Sequence, residues 1–474
     1  MITEIAEFYD RFLSPINTVV VGYFVALTVF YVVLYISAAL DMRHYLREIR
    51  AESFRDILSS ELSPSITLLV PAHNEAVTIE HSIRALLTMA YPRLDIVVVD
   101  DGSTDETIEL LIKTFDLKST WIIYDDFIAT KPVKEIYRSA QFPNLVVAAK
   151  EQGGKADALN LALNLAESDL VCAVDADTIL DPDGLRRLVR PFLRSDDVAA
   201  AGATIRVANG CTVRHGRLAT ERGPRQMLAG IQVVEYLRAF LFGRPGWNRL
   251  GGNLVISGAF GLFRRQTLLD IDGYANTVGE DMELVVRIRR NGYERGLPSR
   301  IEFVPDPVAW TEAPTSLAVL SRQRERWHRG FSDTLWRHRR VCLNRRYGVL
   351  GLVVYPCFAL FEWLAPIVEL VGLILVPLGL LVGEISPRFA VLFFVMAVGL
   401  GILLSLLALL LEEISFRRYG TIRDRALLVG FALLENFGYR QMTLYWRLRG
   451  MFNFVRGKRS WGTMKRKGFK AAKA

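Results

Sequence analysis

The feature that most constrains this chain is the uneven placement of its apolar residues. Residues 17–40 and two long stretches beyond residue 347 are strongly apolar, whereas the region between them mixes apolar and charged residues. The first stretch is 24 residues long, and about 20 apolar residues in a helix cross the hydrocarbon core of a bilayer. The sequence therefore predicts a water-soluble domain held between membrane segments.

Basic residues predict how the chain enters the membrane. Arg43, Arg47 and Arg50 follow the first apolar stretch, and the cytoplasmic flanks of membrane helices carry an excess of Lys and Arg. No small-residue cleavage site follows the stretch, so it is predicted to be a retained anchor and not a signal peptide. We expect residues 1–45 to form a transmembrane anchor, with the next domain in the cytoplasm.

The C-terminal part of the chain, residues 336–474, is predicted to be a membrane region with two or three spans. The apolar stretches 350–382 and 389–411 are long enough to cross a bilayer. Charged residues interrupt the segment 425–447, which favours an interfacial or re-entrant helix. The tail from Arg456 onward has eight Lys or Arg residues and no acid. This composition favours a cytoplasmic tail. We expect a multi-pass protein of the cytoplasmic (inner) membrane.

The middle of the chain alternates strands and helices. Apolar runs of strand length occur at residues 66–70, 96–99, 145–149 and 170–174, and helical patterns lie between them. This rhythm is typical of a mostly parallel sheet flanked by helices. We therefore predict an α/β domain over residues 60–335.

The net charge of +8 is better explained by lipid or phosphate than by nucleic acid. Residues 322–346 hold nine arginines among aromatic residues, which is typical of an amphipathic helix at a membrane surface. Residues 227–247 are too polar to span and are predicted to form a second interfacial helix in a collar under the membrane helices. We expect membrane lipids as partners and no nucleic acid. The four cysteines show no CxxC spacing, so no disulfide or zinc site is predicted.

The ends of the predicted strands are acidic. Glu75 follows the first strand, Asp101 ends the second, and Asp175 and Asp177 follow the strand 170–174. Ligands of an open α/β sheet bind at these carboxyl ends. A single such turn could equally be a helix cap, so the pattern at Asp101 alone leaves both interpretations open.

Asp175 and Asp177 predict a divalent metal. Alternate residues of an extended segment lie on the same side, where two carboxylates repel each other unless a cation lies between them. Carboxylate oxygens suit Mg²⁺ or Mn²⁺, which are often shared with substrate phosphates. A DxD pattern is weak on its own. The prediction gains support from the other acidic strand ends.

A glycine pair before a predicted helix indicates an anion site. The helix beginning after Gly153 and Gly154 would offer free backbone N–H groups to an anion, and Lys155 adds a full positive charge. The alternative, a glycine loop that simply leads into an amphipathic helix, remains open.

These motifs resemble, in type and order, those of family 2 glycosyltransferases. The chain is most similar to membrane-embedded synthases of cellulose, hyaluronan and poly-N-acetylglucosamine. The resemblance implies a GT-A fold inserted between transmembrane helices, a UDP-sugar donor, inversion at the transferred sugar, and Mg²⁺ or Mn²⁺. It rests on residues 70–75, 100–103, 153–160, 175–177, 279–281 and 323–327.

The resemblance also implies roles on the donor side. Asp101, helped by Glu75, would hold the base or ribose of the nucleotide. Lys155 would contact the diphosphate. Asp177 would bind the metal that bridges the phosphates, and Asp175 would face the nucleotide sugar and support that metal.

On the acceptor side, the resemblance makes Asp281 the catalytic base, with Glu280 beside it. A base must remove the proton of the attacking hydroxyl in an inverting transfer. The alternative is that these acids only begin a helix, whose first turn favours negative charge. Ser257 and Gly258 resemble the family's acceptor wall, with small residues beside aromatic ones.

The segment Gln323-x-x-Arg326-Trp327 completes the resemblance. Arg326 would neutralise the leaving diphosphate, because its planar fork of donors matches phosphate oxygens. Trp327 would stack on the acceptor sugar, with Gln323 in the same binding segment. The plain alternative, an amphipathic helix on the membrane, is compatible with this role.

Two features depart from the family pattern. Residues 116–144 are longer than the usual connection and form an insertion of unknown role. The membrane spans are fewer than processive synthases carry, so an accessory membrane subunit or a homo-oligomer would have to complete a channel.

The leading functional prediction is processive transfer from a UDP-sugar to a polysaccharide, coupled to secretion. One alternative is a single addition to a lipid-linked acceptor. An alternative of another class is a catalytically inactive membrane assembly or receptor protein, which the complete set of acids argues against.

Overall fold

The computed structural model describes residues 14–51, 63–214 and 217–458. The predicted basic tail lies largely beyond residue 458, and so outside the described residues. The predictions for the tail and for the first residues of the anchor therefore stay predictions.

The described chain alternates strands and helices before residue 337 and is helical after it. The strands are β1 (Ile66–Ala72), β2 (Leu94–Asp101), β3 (Leu117–Ser119), β4 (Val133–Ser139), β5 (Leu145–Lys150), β6 (Leu170–Val174), β7 (Ile179–Leu180), β8 (Val198–Val207), β9 (Thr212–Arg214), β10 (Arg217–Thr220), β11 (Phe260–Arg264) and β12 (Arg300–Thr311).

The helices divide between the sheet domain and the membrane region. They are α1 (Ser14–Ala51), α2 (Ile79–Leu87), α3 (Thr107–Thr114), α4 (Lys155–Leu165), α5 (Gly184–Leu188), α6 (Arg190–Arg194), α7 (Met227–Leu237), α8 (Arg244–Arg249), α9 (Arg265–Leu269), α10 (Glu280–Arg295), α11 (Leu317–Arg337), α12 (Ala365–Leu381), α13 (Pro387–Ser415), α14 (Ile422–Leu434) and α15 (Arg440–Val455). A wide helical turn, Arg238–Gly243, joins α7 to α8.

One sheet of ten strands organises the middle of the described chain, in the order β3-β4-β5-β2-β1-β6-β11-β8-β12-β7. Its centre, β5-β2-β1-β6, is parallel, and its strands are almost wholly apolar because packed side chains cover both faces. This centre and its helices confirm the predicted α/β class.

The expectation of a mostly parallel sheet is wrong for the sheet as a whole. Five of its nine neighbouring strand pairs are antiparallel. The predicted rhythm covered only the repeated strand–helix units, which must be parallel. The other strands join the sheet edges through connections without such a unit, and β11 enters between β6 and β8 in the opposite direction.

The insertion at residues 116–144 extends the sheet. It contains β3 and β4, which pair antiparallel with each other, and β4 pairs antiparallel with β5. The connection between β3 and β4 ends beside the carboxyl end of β5, where Glu151 N donates to Pro132 O at 3.0 Å.

Helices suited to a membrane lie on both sides of the sheet domain in sequence. Thr18–Ile49 within α1 and Pro387–Ser415, which is α13, are long and apolar enough to cross a bilayer. A third candidate is the irregular helix Leu350–Trp363 together with α12, bent by 41°. These helices confirm the predicted spans at the level of length and composition, while the number of crossings and their orientation stay predictions.

The segment 425–447 is broken in the middle. Phe437 and Gly438 have non-helical backbone angles between α14 and α15. Buried Glu435 beside this break pairs with Arg238 of the sheet domain at 2.5 Å. A single straight crossing is therefore not formed here, in line with the expected interfacial or re-entrant segment.

The segment 227–247 packs under the membrane helices. The helices α8 and α1 pack so closely that a Cβ on Gly246 would overlap Leu34. A Cβ on Gly230 of α7 would likewise overlap the ring of Phe431 in α14. These contacts pack the segment against α1 and α14, and its role as a collar at the membrane stays a prediction.

Candidate active site

The carboxyl end of β2 is tied to the glycine pair that precedes α4. Asp101 is only 4% exposed, and its carboxylate accepts hydrogen bonds from the N–H groups of Gly153 (2.8 Å) and Gly154 (2.7 Å). Lys150 Nζ lies 2.9 Å from the same carboxylate. The expectation that these N–H groups are free for a ligand is wrong in this structure, because Asp101 is the anion they hold.

The loop after β1 is held against the loop after β2. Asn74 adopts a left-handed backbone (φ 57°), and its side-chain oxygen accepts from Thr104 N at 2.8 Å. Glu75 accepts from the hydroxyl of Thr78 at 2.9 Å, near the start of α2. Glu75 and Asp101 thus lie on neighbouring strand ends, as expected, and their contact with a nucleotide stays a prediction.

Lys155, the first residue of α4, joins two acidic motifs. Its Nζ lies 2.8 Å from Asp175 Oδ1 and 3.1 Å from Glu280 Oε1. Burial alone would lower the pKa of Lys155, but the negative charges of Asp175, Glu280 and Asp281 outweigh it and raise that pKa. The lysine therefore keeps its positive charge in a site where acids are in excess.

A small cavity brings together the two predicted catalytic acids, one donor-side lysine and two of the four predicted acceptor residues, whereas Gln323 and Trp327 do not line it. Lys155, Ser257, Gly258, Glu280 and Asp281 all line it. A Cβ built on Gly258 would lie 3.2 Å from Lys155 Nζ and 3.7 Å from Asp281 Cβ. Glycine at this position therefore lets the backbone approach both charged side chains.

The two acids at the start of α10 differ in their surroundings. Glu280 is buried, and burial raises its pKa, an effect that Lys155 opposes and Asp281 reinforces. Asp281 is half-buried at the cavity wall, and its Oδ1 accepts from the backbone N–H of Met282 at 2.8 Å. The pair does begin a helix, as the structural alternative held, and it also faces the cavity.

A buried asparagine positions the segment before these acids, and sequence reasoning assigned it no role. Asn160 of α4 donates to Tyr274 O at 3.0 Å and accepts from Tyr274 N at 2.7 Å. The signal available in the sequence was a polar residue on the apolar face of a helix, since buried amides need partners.

Two glycines bring α11 against the start of α10. A Cβ on Gly330 would lie 2.8 Å from Gly279 Cα, and one on Gly279 would lie 3.0 Å from Gly330 Cα. Residues three and four apart share a helix face, so Trp327 and Arg326 lie near the face that carries this contact. The structure thus brings these two motifs together.

The side chains of the α11 motif differ in exposure. Trp327 is 40% exposed, and the guanidinium of Arg324 lies 4.6 Å from its ring centroid. The Oε1 atom of Gln323 is buried without a hydrogen-bond partner among the described residues. A direct contact of Arg326 or Trp327 with a substrate stays a prediction.

The predicted metal ligands follow the same strand, and their role in metal binding stays a prediction. Asp175 and Asp177 are both half-buried at the end of β6. The strand β6 is the second neighbour of β2, and neighbouring strands are roughly 5 Å apart, so these acids lie about 10 Å from Asp101. Within residues 14–51, 63–214 and 217–458, no three His, Cys, Asp or Glu side chains are grouped to hold a metal alone. Substrate oxygens would have to complete such a site, as is common for Mg²⁺.

Arg244 is a further charged residue near the site that the sequence did not single out. Its guanidinium lies 3.9 Å from the ring centroid of Phe240, and its Nη1 is buried with no hydrogen-bond partner in the described structure. Burial lowers the pKa of Arg244 to about 10, against the opposing charge of Asp281. Arg244 and Asp281 are far apart in sequence, so only tertiary packing places them near each other.

Two family models match the sheet domain. "Glycosyl transferase family 2" matches residues 67–124 and "Glycosyltransferase like family 2" matches residues 130–330. Together they cover a little more than half of the chain, including the cavity residues described above.

Two curated relatives carry the same functional name. The poly-beta-1,6-N-acetyl-D-glucosamine synthase of Staphylococcus aureus strain COL is 29% identical over 298 residues, which is 62% of this chain and 61% of the relative. The protein of that name from Staphylococcus epidermidis is 25% identical over 300 residues, or 63% and 62% of the two chains. The matched region thus spans about three fifths of each relative.

Among solved structures, a mannosyltransferase from Pyrobaculum calidifontis in complex with GDP-Man and Mn²⁺ matches 88% of this chain and 99% of its own. Its sequence identity is 17% and its TM-score is 0.49. The family matches, and not this likeness, decide the assignment: residues 67–330 of this chain form a family 2 glycosyltransferase domain.

Proposed function

We propose that this chain is an inverting glycosyltransferase that moves a sugar from a UDP-sugar to a growing polysaccharide at the cytoplasmic face of a membrane. The observation that carries the proposal is the cavity shared by Lys155, Glu280 and Asp281, with Ser257 and Gly258 on its wall. Separate segments of a family 2 domain supply these groups. The names of the relatives make an N-acetylglucosamine polymer the first product to test.

Asp281 is the proposed base. It would accept the proton of the acceptor hydroxyl while that oxygen bonds to the anomeric carbon, and the bond to the diphosphate breaks with its electron pair leaving on UDP. Ser257 and Gly258 would flank the acceptor. Buried Glu280 would hold Lys155, which carries positive charge toward the donor.

The donor side would use the strand ends. Asp175 and Asp177 would hold Mg²⁺ or Mn²⁺, which when bound neutralises charge on the leaving diphosphate. Arg326 and Arg244 would add cationic donors near the same charge. Asp101 would act mainly by fixing the loop before Lys155, with Glu75 on the neighbouring strand end.

The test is a donor screen with the purified full chain in detergent. We expect UDP release with one UDP-sugar, tested first with UDP-N-acetylglucosamine, and loss of release on chelation of divalent metal. Metal-independent turnover would contradict the role of Asp177. No release with any donor would favour the inactive alternative.

Product length separates the remaining two alternatives. A processive enzyme gives long polymer even when few acceptors have been extended, whereas a single-addition enzyme stops after one sugar on a lipid acceptor. The described residues hold two or three candidate spans, which is fewer than processive synthases carry. The processive proposal therefore includes an accessory subunit or a homo-oligomer.

A further inference from the structure

A second cavity lies between the sheet domain and the membrane region. Its volume is about 950 Å³, at the upper end of the roughly 300–1,000 Å³ common for ligand sites. The segment after β10 supplies Arg222 and Arg225, and the start of α14 supplies Thr421, Arg423 and Asp424. The cavity is therefore built by two regions of the chain that are far apart in sequence.

The charges in this cavity are unbalanced. Arg222, Arg225 and Arg423 are exposed, and within the described residues none of the three side chains forms an ion pair or a hydrogen bond. The one acid in the lining is Asp424. Three cations that face one space with a single acid create a positive potential, which favours an anionic ligand.

Nearby arginines of the same joint are paired, which makes the cavity arginines distinctive. Arg206, close to the cavity, lies between Glu221 at 3.3 Å and Glu412. The chain thus neutralises this arginine where it serves packing. The cavity arginines have no such partner among the described residues, although Asp424 lines the same space.

The cavity lies at the expected lipid boundary. One wall of the cavity is formed by α14. This helix begins seven residues after Ser415, where the candidate span α13 ends. Ile422 at the start of α14 is 82% exposed, and Val429 and Leu433 further along are 41% and 42% exposed. An apolar exposed helix face beside unpaired arginines suits the junction of acyl chains and anionic headgroups.

We propose that this cavity binds a phosphate ester, and its position favours the headgroup of an anionic phospholipid as the source. Guanidinium groups bind phosphate oxygens through paired hydrogen bonds. The N-terminus of α14 adds a weak preference for negative charge. A bound headgroup joins the segment after β10 to α14 and so fastens the sheet domain to the membrane region.

The test uses the full chain purified in an uncharged detergent. Phosphatidylglycerol, phosphatidylcholine and inorganic pyrophosphate are titrated separately, and the thermal midpoint reports binding. The triple variant R222Q/R225Q/R423Q is compared with K118Q/K134Q/R138Q, which removes the same charge from exposed side chains of β3 and β4 at the opposite edge of the sheet. We expect phosphatidylglycerol to stabilise the native chain and the control, and to bind the cavity variant at least about tenfold more weakly.

Each outcome bears on the proposal. Stabilisation by phosphatidylglycerol that depends on the cavity arginines supports the headgroup. Stabilisation by pyrophosphate with the same dependence supports a soluble phosphate ester in the same site. Equal behaviour of the cavity variant and the control with both ligands overturns the proposal.

Single variants protect the test against misfolding of the triple variant. Arg225→Gln and Arg423→Gln each keep two of the three cations, and each is expected to weaken phosphatidylglycerol binding by several-fold. Unchanged affinity in both would also overturn the proposal. The test needs no glycosyltransferase activity, so it is independent of the proposed function.

Discussion

Two cation clusters in this chain contain the same kinds of groups and differ in access. Lys155 pairs with Asp175 and Glu280 beside a cavity, and its side chain is 20% exposed. Arg206 pairs with Glu221 and Glu412 at the joint between β8 and α13, and its side chain is 1% exposed.

The difference separates a site from a structural joint. The Lys155 cluster has more acids than cations and borders a small cavity, so it is the cluster that can face a ligand. The side chains of Arg206, Glu221 and Glu412 are between 1% and 8% exposed, so their ion pairs serve to hold β8 to the membrane region. The comparison predicts that changes in the first cluster alter turnover and changes in the second alter folding.

The largest expected effect is on turnover in the Lys155 cluster. Asp281→Asn removes the proposed base and is expected to lower the rate of UDP release about 10²–10⁴-fold. Its thermal midpoint should stay close to that of the native chain. Asp272→Asn is the control, because Asp272 is exposed and its left-handed backbone (φ 62°) tolerates asparagine. Native turnover in Asp281→Asn would rule out this base.

The second prediction concerns the joint. Arg206→Met removes the buried cation between Glu221 and Glu412, which leaves Glu221 with only the more distant Arg418, at 3.8 Å, as a cationic partner among the described residues, and is expected to lower the free energy of unfolding by about 3–5 kcal/mol. The matched control is Arg300→Met, whose side chain is 58% exposed and should cost less than about 1 kcal/mol. Thermal unfolding of the full chain measures both. If Arg206→Met lowered turnover per folded molecule and left the free energy of unfolding unchanged, the Arg206 cluster would belong to the active site and not to a structural joint.

The third prediction sharpens the boundary between site and joint. Gly330→Ala forces α11 away from Gly279, since the new Cβ would lie 2.8 Å from its Cα. We expect turnover to fall about 10- to 100-fold, because a displacement near 1 Å disturbs reacting groups. Gly399→Ala is the control, since no atom lies within 4 Å of a Cβ there. Equal turnover in both variants would separate the α11 motif from the acids of α10.

The smallest expected effect is a pH dependence. Burial, with the charge of Arg447, lowers the pKa of His328 to about 3. As the pH falls, His328 is protonated in the unfolded chain before it is protonated in the folded chain. The free energy of unfolding is therefore unaffected by His328 above about pH 6.5 and decreases from there toward pH 3. We expect a loss of about 2 kcal/mol between pH 6.5 and pH 5.

Unfolding at several pH values measures this loss. His328→Gln should flatten the profile in that range, whereas His81→Gln, at an exposed position, should leave it unchanged. A profile that stays equally steep without His328 would assign the dependence to another group.

Much of the fold was predictable from local patterns. The parallel strands β1, β2, β5 and β6 were predicted because apolar runs and helical periodicity are properties of short segments. The antiparallel additions were not, because β11 enters the sheet far from its neighbours in sequence. Pairing between distant segments leaves no periodic signal.

The candidate site shows the same division. Asp175, Glu280 and Asp281 were predicted individually, since acids after strands and at helix starts are visible in the sequence. The ion pairs of Lys155 with two of them were not, and neither was the capture of the Gly153 and Gly154 N–H groups by Asp101. A side chain chooses its partner only once both backbones are in place.

The sequence by itself determined the order of membrane segments, the α/β alternation and the acidic motifs, because hydropathy, periodicity and residue chemistry are local. The tertiary structure alone decided which charges meet in an open cavity, at Lys155, and which are closed into a joint, at Arg206. It also placed Arg222, Arg225 and Arg423 around one cavity. The physical reason is that electrostatic free energy depends on distance and burial, and both are set by contacts between segments remote in the chain.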